Sequence, residues 1–493
     1  MADDRSHAVE FRTREAAERD RRVAEYDRFA VERDRWRAKN RAYYRNLERI
    51  VRFVVPEGAN VLEIGSNTGD LLAALKPASG TGIDVSPALV EIARRKHPQL
   101  EFLVDDAERL DAPELTGRTF DYVVLSDVVG NIYDVWSAFR ALRRFCHPRT
   151  RIVVTYYNFL WEPLLRLGES IGQKMPIPQQ NWLGRADLAN LLELNHFEII
   201  RSGTAQLLPV DVPVAASIAN RYLAQAPGLR HLALTQYFVC RLAHGGGPLP
   251  SRDYTCSVIV PTKNERGNVD DIIARTPDLG RGTELIFVDG NSKDGTVEAI
   301  ERHIAAKTRS NMRLIHQGDG KGKGDAVRKG FAAAKGDILF ILDADLTVPP
   351  EELPKFYAAI AEGKAEFVNG SRLVYPMEGE AMRFLNSLGN KFFGVALSAI
   401  LEQRLKDTLC GTKVLFRRDY ERIAAARGFF GDFDPFGDFD LLFGAAKQNL
   451  KIMELPVRYR ARIYGETKIS RFREGAILGR MTWHAFRKFK SQF

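Results

Sequence analysis

The residues with the clearest chemical potential are two aspartates, Asp343 and Asp345, which end the apolar run that begins at Ile338. Side chains two residues apart on an extended strand point to the same side. Two carboxylates at a strand end suit a hard divalent cation, and such an ion keeps positions open for phosphate oxygens. An Asp-x-Asp pair is weak evidence by itself, because a polar exit from a strand has the same sequence. The neighbouring segments therefore decide its meaning.

Three segments before this pair follow an order typical of nucleotide binding. Residues 256–265 form a β-branched strand pattern that runs into Pro and then Asn-Glu. Residues 284–296 form a second strand pattern that ends in an aspartate and a Gly/Asn/Asp turn. Residues 318–326 are rich in glycine, which lets a backbone approach a ligand, and in lysine, which supplies charge for phosphate. The order predicts a nucleotide-sugar site on an α/β sheet.

Residues from about 252 onward resemble a family 2 glycosyltransferase of the GT-A fold, and most of all the dolichyl- and polyprenyl-phosphate sugar synthases. One departure is visible, because Thr262-Lys263 stands where that family usually has a tyrosine between proline and asparagine. The resembling blocks are residues 260–265, 288–296, 322–326, 343–345, 370–372 and 464–470.

The loop chemistry and the resemblance together predict individual roles. Asp343 and Asp345 would hold Mg²⁺ or Mn²⁺ on the diphosphate, and Arg372 and Lys468 match positive positions near the phosphates that would act in catalysis. The expected nucleotide-sugar-binding residues are Pro261, Glu265, Asp289, Lys323, Gly324, Asp343 and Asp345.

Transfer of a sugar to a hydroxyl group would require a general base, whereas a phosphate acceptor is already an anion and requires none. Asp438 and Asp440 lie two apart among aromatic residues, where loss of solvent raises the pKa of a carboxyl. The alternative is that they cap a helix that begins near Leu441. Both interpretations remain open from the sequence.

The first half of the chain has a different pattern. Residues 60–75 read as a strand, a glycine turn and an apolar helix, and further strand patterns occur at 82–84, 102–106 and 120–127. Strands that alternate with helices indicate a parallel sheet, with ligands bound at the carboxyl ends of the strands.

The turn after the first strand has the form Glu-x-Gly-x-x-x-Gly and lacks the Gly-x-Gly-x-x-Gly of dinucleotide folds. It resembles class I S-adenosylmethionine-dependent methyltransferases, with Asn67 in place of their frequent middle glycine. After a later strand, Tyr156-Tyr157-Asn158 is a candidate acceptor-side patch, although core aromatics are the favoured interpretation. The resemblance implies contacts to the methionine part of the cofactor from Glu63, Gly65 and Gly69, to the ribose from Asp84, and to the adenine from Asp105 or Asp106.

Length and linker composition predict two α/β domains, because 493 residues exceed one ordinary domain and residues 244–250 form a clear Gly/Pro-rich segment. Residues 1–44 read as a solvated, charged helical segment. The predicted order is this segment, a class I methyltransferase-like domain at 45–243, a linker at 244–251, a GT-A domain at 252–470 and a basic amphipathic tail at 471–493.

The tail offers two interpretations. On a helix, Leu478, Met481, Ala485 and Phe489 form one apolar stripe beside many cations. The stripe could lie in a membrane interface, or it could pack on the enzyme. The sequence favours neither.

Net charge and cysteine usage limit the partners and the location. The net charge of +9 comes without a nucleic-acid-reading motif, so anionic ligands or an anionic membrane surface explain it better. The four cysteines show no metal-ligand spacing, and the N-terminus lacks a signal peptide's apolar core. We expect a cytoplasmic protein, with peripheral contact to the inner face of the membrane as an option. The sequence leaves the oligomeric state open.

The predicted function is metal-dependent, inverting transfer of a sugar from UDP or GDP to polyprenyl phosphate or a related glycan acceptor, fused to S-adenosylmethionine-dependent methyl transfer. One alternative is a glycosyltransferase with a non-catalytic methyltransferase-like scaffold, which Asn67 keeps open. A second alternative is a non-catalytic membrane-associated binding protein, against which the intact Asp343 and Asp345 argue.

Overall fold

The chain forms two compact α/β units that divide between residues 243 and 244. The computed structural model describes residues 20–176, 180–210, 212, 214–226, 228–243, 253–320, 322–373, 384–430, 438–460, 462, 464 and 471–490. The prediction of an α/β fold with two domains is confirmed.

The first unit is built on one mixed sheet with the strand order β3-β2-β1-β4-β5-β7-β6. The strands β1 to β5 pair in parallel, and β7 runs antiparallel to both of its neighbours, β5 and β6. The strands are β1 (Asn60–Ile64), β2 (Ser79–Asp84), β3 (Glu101–Val104), β4 (Phe120–Ser126), β5 (Cys146–Tyr157), β6 (Phe197–Ala205) and β7 (Thr235–Leu242).

The second unit has its own sheet, in the order β10-β9-β8-β11-β13-β12-β14. Only β13 runs antiparallel among the described strands, against β11 and β12. The strands are β8 (Thr255–Thr262), β9 (Gly282–Asp289), β10 (Met312–His316), β11 (Ile338–Ile341), β12 (Phe367–Ser371), β13 (Lys413–Phe416) and β14 (Ile452–Pro456).

Helices connect the strands and cover the sheets. In the first unit, residues 20–30 are helical, followed by the helices Arg33–Lys39, Arg41–Val54, Asp70–Ala74, Pro87–Lys96, Val135–Leu142, Glu162–Ser170, Arg185–Leu194 and Ala215–Arg221. In the second unit they are Val269–Arg275, Thr296–Ala305, Gly322–Ala333, Leu353–Ala361, Phe384–Leu401, Arg417–Ala425, Asp438–Lys447 and Arg471–Phe489.

The central strands are apolar because helices bury both of their faces. All four residues of β11 are buried, and β4 has a buried run from Tyr122 to Leu125. Local signals fix the helix ends: the Ser86 hydroxyl accepts a hydrogen bond from the backbone N–H of Leu89 at 3.2 Å, and Pro87 occupies the first helical position. These strands and caps place polar residues at the carboxyl ends of the strands.

Two local expectations differ from the structure. The glycine- and lysine-rich segment is a helix start, because the helix begins at Gly322, so Lys323 lies in its first turn. The helix expected from Leu441 begins earlier, at Asp438. Both differences arise because residue type alone locates the first residue of a helix only to within a few positions.

The C-terminal stripe packs on the protein. Met481, Ala485 and Phe489 are buried, and the Phe489 ring contacts Phe430 and Phe443 at centroid distances of 5.7 and 6.2 Å. The helix Arg471–Phe489 also packs against Phe384–Leu401. Of the two interpretations of the tail, the packing of its apolar stripe on the enzyme is the one that the structure describes. Across the helices that the structure describes, none is long and apolar enough to cross a bilayer.

Replacing Phe489 with alanine removes a buried ring, which costs about 3–5 kcal/mol. We expect F489A to lower the midpoint of urea denaturation markedly. W483A is the matched control on the same helix, because the Trp483 side chain is 55% exposed, and we expect it to shift stability by less than about 1 kcal/mol. Equal shifts in the two variants would contradict the packing of the tail.

Candidate functional site

The Asp-x-Asp pair lies just after β11, within a group of cations. The Lys323 Nζ is 2.7 Å from an Asp343 carboxylate oxygen, and an Arg462 nitrogen is 2.6 Å from Asp345. The second Asp345 oxygen accepts hydrogen bonds from the backbone N–H and the hydroxyl of Thr347 at 3.1 and 2.8 Å. Each aspartate is therefore held in place and paired with a positive side chain.

The electrostatics keep Asp343 ionised. Burial raises the pKa of its carboxyl, but the charge and hydrogen bond of Lys323, followed by the charges of Lys413 and Arg372, outweigh that effect and leave the pKa below its usual value. Lys413 is fully buried on β13, and its Nζ donates to the Cys410 carbonyl at 2.5 Å. A cluster of this sign suits a bound anion such as a diphosphate.

A glycine gives the Asp343–Lys323 pair its space. A Cβ atom added at Gly411 would overlap Oδ2 of Asp343 and would lie 2.5 Å from the Lys323 Nζ. A residue with a side chain at position 411 would therefore displace one member of the pair.

Arg372, predicted to act near the phosphates, forms a buried pair with Asp407. Its Nε and Nη2 donate to the two Asp407 carboxylate oxygens at 2.7 and 2.8 Å. These bonds outweigh burial and raise the pKa of the guanidinium further. Its charge still acts on Asp343, but its hydrogen bonds hold the loop after β12 against Asp407.

The residues predicted to bind the nucleoside meet where β8 and β9 end. Pro261 and Thr262 lie opposite Val288 and Asp289 in the parallel register. The Asp289 side chain is buried, and its Oδ2 accepts from the Ser292 backbone N–H at 3.1 Å. Its Oδ1 has no hydrogen-bond partner within the described part of the chain. A buried acceptor without a partner is costly unless a ligand supplies the donor.

Glu265 lies nearby but is engaged within the protein. Its Oε2 accepts from the Asn268 amide at 2.8 Å, and its backbone N–H donates to the Thr296 hydroxyl at 3.0 Å. These two hydrogen bonds show that Glu265 helps to fix the turn that follows β8. Its contact with a nucleoside stays a prediction. Two residues later, Gly267 lies under the Tyr464 ring, since an added Cβ would be 2.5 Å from a ring carbon. This ring is an aromatic group at a site whose expected tyrosine is absent.

Lys323 and Gly324 lie in the first turn of the helix Gly322–Ala333, where backbone N–H groups are not paired within the helix. Gly322 adopts a φ of 80°, which favours glycine. The predicted phosphate-binding segment therefore presents a helix N-terminus, a site type that attracts anions.

The predicted base candidates have a different setting. Asp440 is buried in the first turn of its helix, and its Oδ2 accepts from the Arg427 Nε at 2.8 Å. The side chain of Asp438 and all of Lys468 lie outside the described residues, so their roles stay predictions. Asp440 is thus paired with a cation, in a helix that begins two residues before it.

In the first unit, the carboxyl ends of the strands border a cavity of about 400 Å³. Of the predicted cofactor residues, Gly69 does not line it. Those that do are Glu63, Gly65, Asp84, Asp105 and Asp106.

The turn after β1 keeps the shape that the glycine motif requires. Gly65 has a φ of 72°, and an added Cβ would lie 2.5 Å from the Val128 side chain. Asn67 also adopts a left-handed conformation with a φ of 48°, which asparagine tolerates better than most residues. Its backbone N–H donates to Asp84 at 2.9 Å, and its amide donates to the Gly65 carbonyl at 2.9 Å. The replacement of glycine is thus accommodated.

Burial dominates the acids of this cavity. It raises the pKa of Glu63 to about 8 and also raises the pKa of Asp84 and Asp105. Asp105 is tied to the backbone, since its two oxygens accept from the N–H groups of Asp106 and Ala112 at 2.7 and 2.9 Å. The Glu63 Oε2 and the Ser66 hydroxyl are buried without a hydrogen-bond partner in the residues described.

The described part of the N-terminal segment, from residue 20 onward, differs from the expectation of a solvated helix, because several of its residues line the cavity. Asp27 accepts a hydrogen bond from the Ser86 hydroxyl, and the Tyr26 pKa is raised to about 12 by burial and by the charge of Asp84. The sequence does contain a signal for this burial, because the cavity-lining residues recur at helical spacing, but the many charged residues obscure it. These lining residues are Arg22, Tyr26, Phe29, Ala30, Arg33, Trp36 and Arg37.

Family models match both halves of the chain. Residues 35–202 match the Methyltransferase domain model, and residues 257–423 match Glycosyl transferase family 2.

Individual relatives are similar to part of the chain. The dolichol-phosphate mannosyltransferase of Saccharomyces cerevisiae is 41% identical over 109 residues, covering 21% of this chain and 40% of the relative. That of Pyrococcus furiosus is 31% identical over 220 residues, covering 43% and 58%. The undecaprenyl-phosphate 4-deoxy-4-formamido-L-arabinose transferase of Shewanella sediminis is 33% identical over 111 residues, covering 22% and 33%. The chain spans about half the length of the first two relatives.

Solved structures match each half. The magnesium protoporphyrin IX methyltransferase of Synechocystis has a TM-score of 0.32 and 17% identity, covering 44% of this chain and 98% of that one. The glucosyl-3-phosphoglycerate synthase of Mycobacterium tuberculosis has a TM-score of 0.35 and 19% identity, covering 48% and 80%. On the two family models, the chain carries a methyltransferase domain followed by a family 2 glycosyltransferase domain.

Proposed function

We propose that the second domain transfers a sugar from a UDP- or GDP-sugar to polyprenyl phosphate, with inversion and with a divalent cation. The observation that carries this proposal is the cluster in which Asp343 and Asp345 meet Lys323 and Arg462 at one edge of the sheet. The relatives named for dolichol-phosphate and undecaprenyl-phosphate transfer support the choice of acceptor.

The donor set fits Mg²⁺ or Mn²⁺, because hard carboxylate oxygens are the ligands that these ions prefer. Asp343 and Asp345 would hold the ion, which would stabilise the charge of the leaving diphosphate. Lys323 and Arg462 neutralise the same carboxylates in its absence and would be available to the phosphates in its presence. Asp289 would accept a hydrogen bond from the nucleoside through its unpaired Oδ1.

The setting of one base candidate is compatible with a phosphate acceptor. Asp440 is engaged in an ion pair with Arg427, so its carboxylate is already occupied within the protein. An acceptor phosphate needs no base, because it is already an anion. Transfer of a sugar to a lipid phosphate would require the protein to bind a membrane surface as a peripheral protein.

For the first domain we propose binding of S-adenosylmethionine and methyl transfer. The cofactor carries positive charge at its sulfonium and amino groups. The cavity is lined by acids as well as by arginines, and among the acids Glu63 has an oxygen without a hydrogen-bond partner in the described residues. The alternative of a scaffold rested on Asn67, and the turn at Asn67 retains the left-handed geometry. The residues present therefore fit the cofactor.

Asp345→Ala removes one of the two proposed metal ligands and the ion pair that Arg462 forms with it. We expect sugar transfer to polyprenyl phosphate to fall at least about 100-fold, since electrostatic stabilisation of the leaving group is lost. The measurement is transfer of label from UDP- and GDP-sugars into the organic phase, with manganese or magnesium. D278A is the control, because Asp278 is 86% exposed in its side chain. Full activity of D345A, or wild-type activity that survives EDTA, would contradict the metal assignment.

Cofactor binding to the first domain should release a proton. Glu63 holds a proton at pH 7, because its pKa is about 8, and a bound cation favours its ionised form. We therefore expect S-adenosylmethionine to bind more tightly as the pH rises from 6 to 8. Calorimetry in phosphate and in Tris buffer should show release of up to about one proton in the wild type and in E57Q, and none in E63Q. Absence of any binding heat, together with no shift in melting temperature, would support the scaffold alternative.

A further inference from the structure

The cavity of the first domain extends beyond its predicted cofactor residues. Part of its lining is an apolar cluster, in which Leu47 and Leu234 pack with several aromatic side chains. The cavity wall at this cluster is formed by Tyr43, Tyr44, Tyr157, Trp161 and Leu165.

A hydrogen-bonded acid lies in this wall, at the carboxyl end of β4. The Tyr43 hydroxyl donates to Asp127 Oδ2, and the Thr155 hydroxyl donates to Asp127 Oδ1 at 2.8 Å. Tyr157 is hydrogen-bonded to Tyr43, with their ring centroids 5.7 Å apart. Asp127, Tyr43 and Tyr157 all line the cavity. Asp127 also has a φ of 55°, a conformation that residues other than glycine adopt at a cost.

Burial favours a proton on Asp127, whereas the nearby cations oppose it. Burial raises the pKa of the Asp127 carboxyl, although its bonds to Tyr43 and Thr155 oppose the rise. Burial and the charge of Asp127 also raise the pKa of Tyr43, so Tyr43 remains a donor. The cations that act on Asp127 are Arg33 and Lys174, and Lys174 is itself ion-paired with Glu169.

Exposed apolar side chains lie at the mouth of the cavity. Leu164 and Val210 both line the cavity and are 58% and 49% exposed, and Leu160 and Leu232 are exposed in segments that also contribute lining residues. The two chain segments are joined, because the Trp161 Nε1 donates to the Leu232 carbonyl at 2.7 Å. Apolar side chains at an entrance, continuous with an aromatic wall inside, suit a ligand that carries an apolar chain.

We propose that Asp127, Tyr43 and Tyr157 form the methyl-acceptor site and that the acceptor is a hydroxyl group carried on a lipid-like chain. The proposal rests on the proposed methyl transfer by this domain. It adds the acceptor class and the residues that receive the acceptor's proton.

The chemical step balances through these residues. The acceptor oxygen forms a bond to the methyl carbon, and the carbon–sulfur bond breaks with its electron pair going to sulfur. The acceptor hydroxyl gives its proton to the Tyr43 oxygen as Tyr43 passes its own proton to Asp127. The products are a methyl ether, a neutral thioether and a protonated carboxyl that later loses its proton to water. Tyr157 orients Tyr43 and is a positioning residue.

The probes are octyl β-glucoside, used below its micelle-forming concentration, and methyl β-glucoside, which has the same hydroxyls without the chain. With labelled S-adenosylmethionine and the full-length protein, we expect label in the octyl compound and not in the methyl compound. Saturation-transfer NMR should show that only the octyl compound binds. L164Q should raise the KM for octyl β-glucoside and leave kcat unchanged.

Asp127→Asn and Tyr43→Phe keep the side-chain volume and remove the proton acceptor or the relay. We expect each to lower kcat at least about 100-fold, while calorimetric affinity for S-adenosylmethionine stays within about twofold and the melting temperature stays near that of the wild type. Y156F is the matched control, because Tyr156 is on the same strand but donates to Gln236 at 2.8 Å.

Three results would overturn the proposal. Unchanged kcat in D127N would remove the acid from the reaction. Binding of S-adenosylmethionine without binding or labelling of octyl β-glucoside would exclude the acceptor class and leave the methyltransferase proposal intact. Failure to bind S-adenosylmethionine at all would instead defeat the proposed function on which the inference rests.

Discussion

A carboxylate taken out of water must be compensated by a proton, a hydrogen bond or a cation, and both domains are arranged around this constraint. In the first domain the compensation is protons and hydrogen bonds: Glu63 has a pKa of about 8, and Asp127 accepts from Tyr43 and Thr155. In the second domain it is positive charge, as in the pairing of Asp343 with Lys323. The difference decides what each site can attract.

The acids of the first cavity share it with arginine side chains but are held mainly by protons and hydrogen bonds, which leaves room for a positively charged ligand. The carboxylate pair of the second domain is bound directly by lysine and arginine, which favours a metal with a polyanion. In each domain the site lies at the carboxyl ends of the sheet strands, but the two sites compensate their buried carboxylates differently. Positive charge inside the second domain must itself be stabilised. The buried Arg372–Asp407 pair is an example, because its two hydrogen bonds stabilise a guanidinium that burial alone would destabilise. Such a pair keeps charge next to Asp343 without leaving it mobile.

The sequence was sufficient for the sheets and for the residues at strand ends, because strand periodicity and parallel pairing bring those residues to one edge. The positions of Lys413 and Arg462 beside the two aspartates could not be predicted. No local sequence pattern indicates that β13 or the segment around residue 462 packs near Asp343 and Asp345. The N-terminal segment was also misjudged, because dense charge on one face of a helix hid the side chains that line the cavity. Partners distant in the chain depend on packing, which periodicity alone does not encode.

Gly411 is another residue, distant in the chain, that affects the geometry of the site although it has no side chain of its own. It contributes no functional group, yet a side chain at position 411 would push Asp343 or Lys323 out of the positions in which they pair. When function is transferred to another sequence, retention of both aspartates is therefore insufficient evidence for the site. A homologue with the aspartates but a bulkier residue at this position should be treated as having lost the geometry, even though its motif would still be recognised.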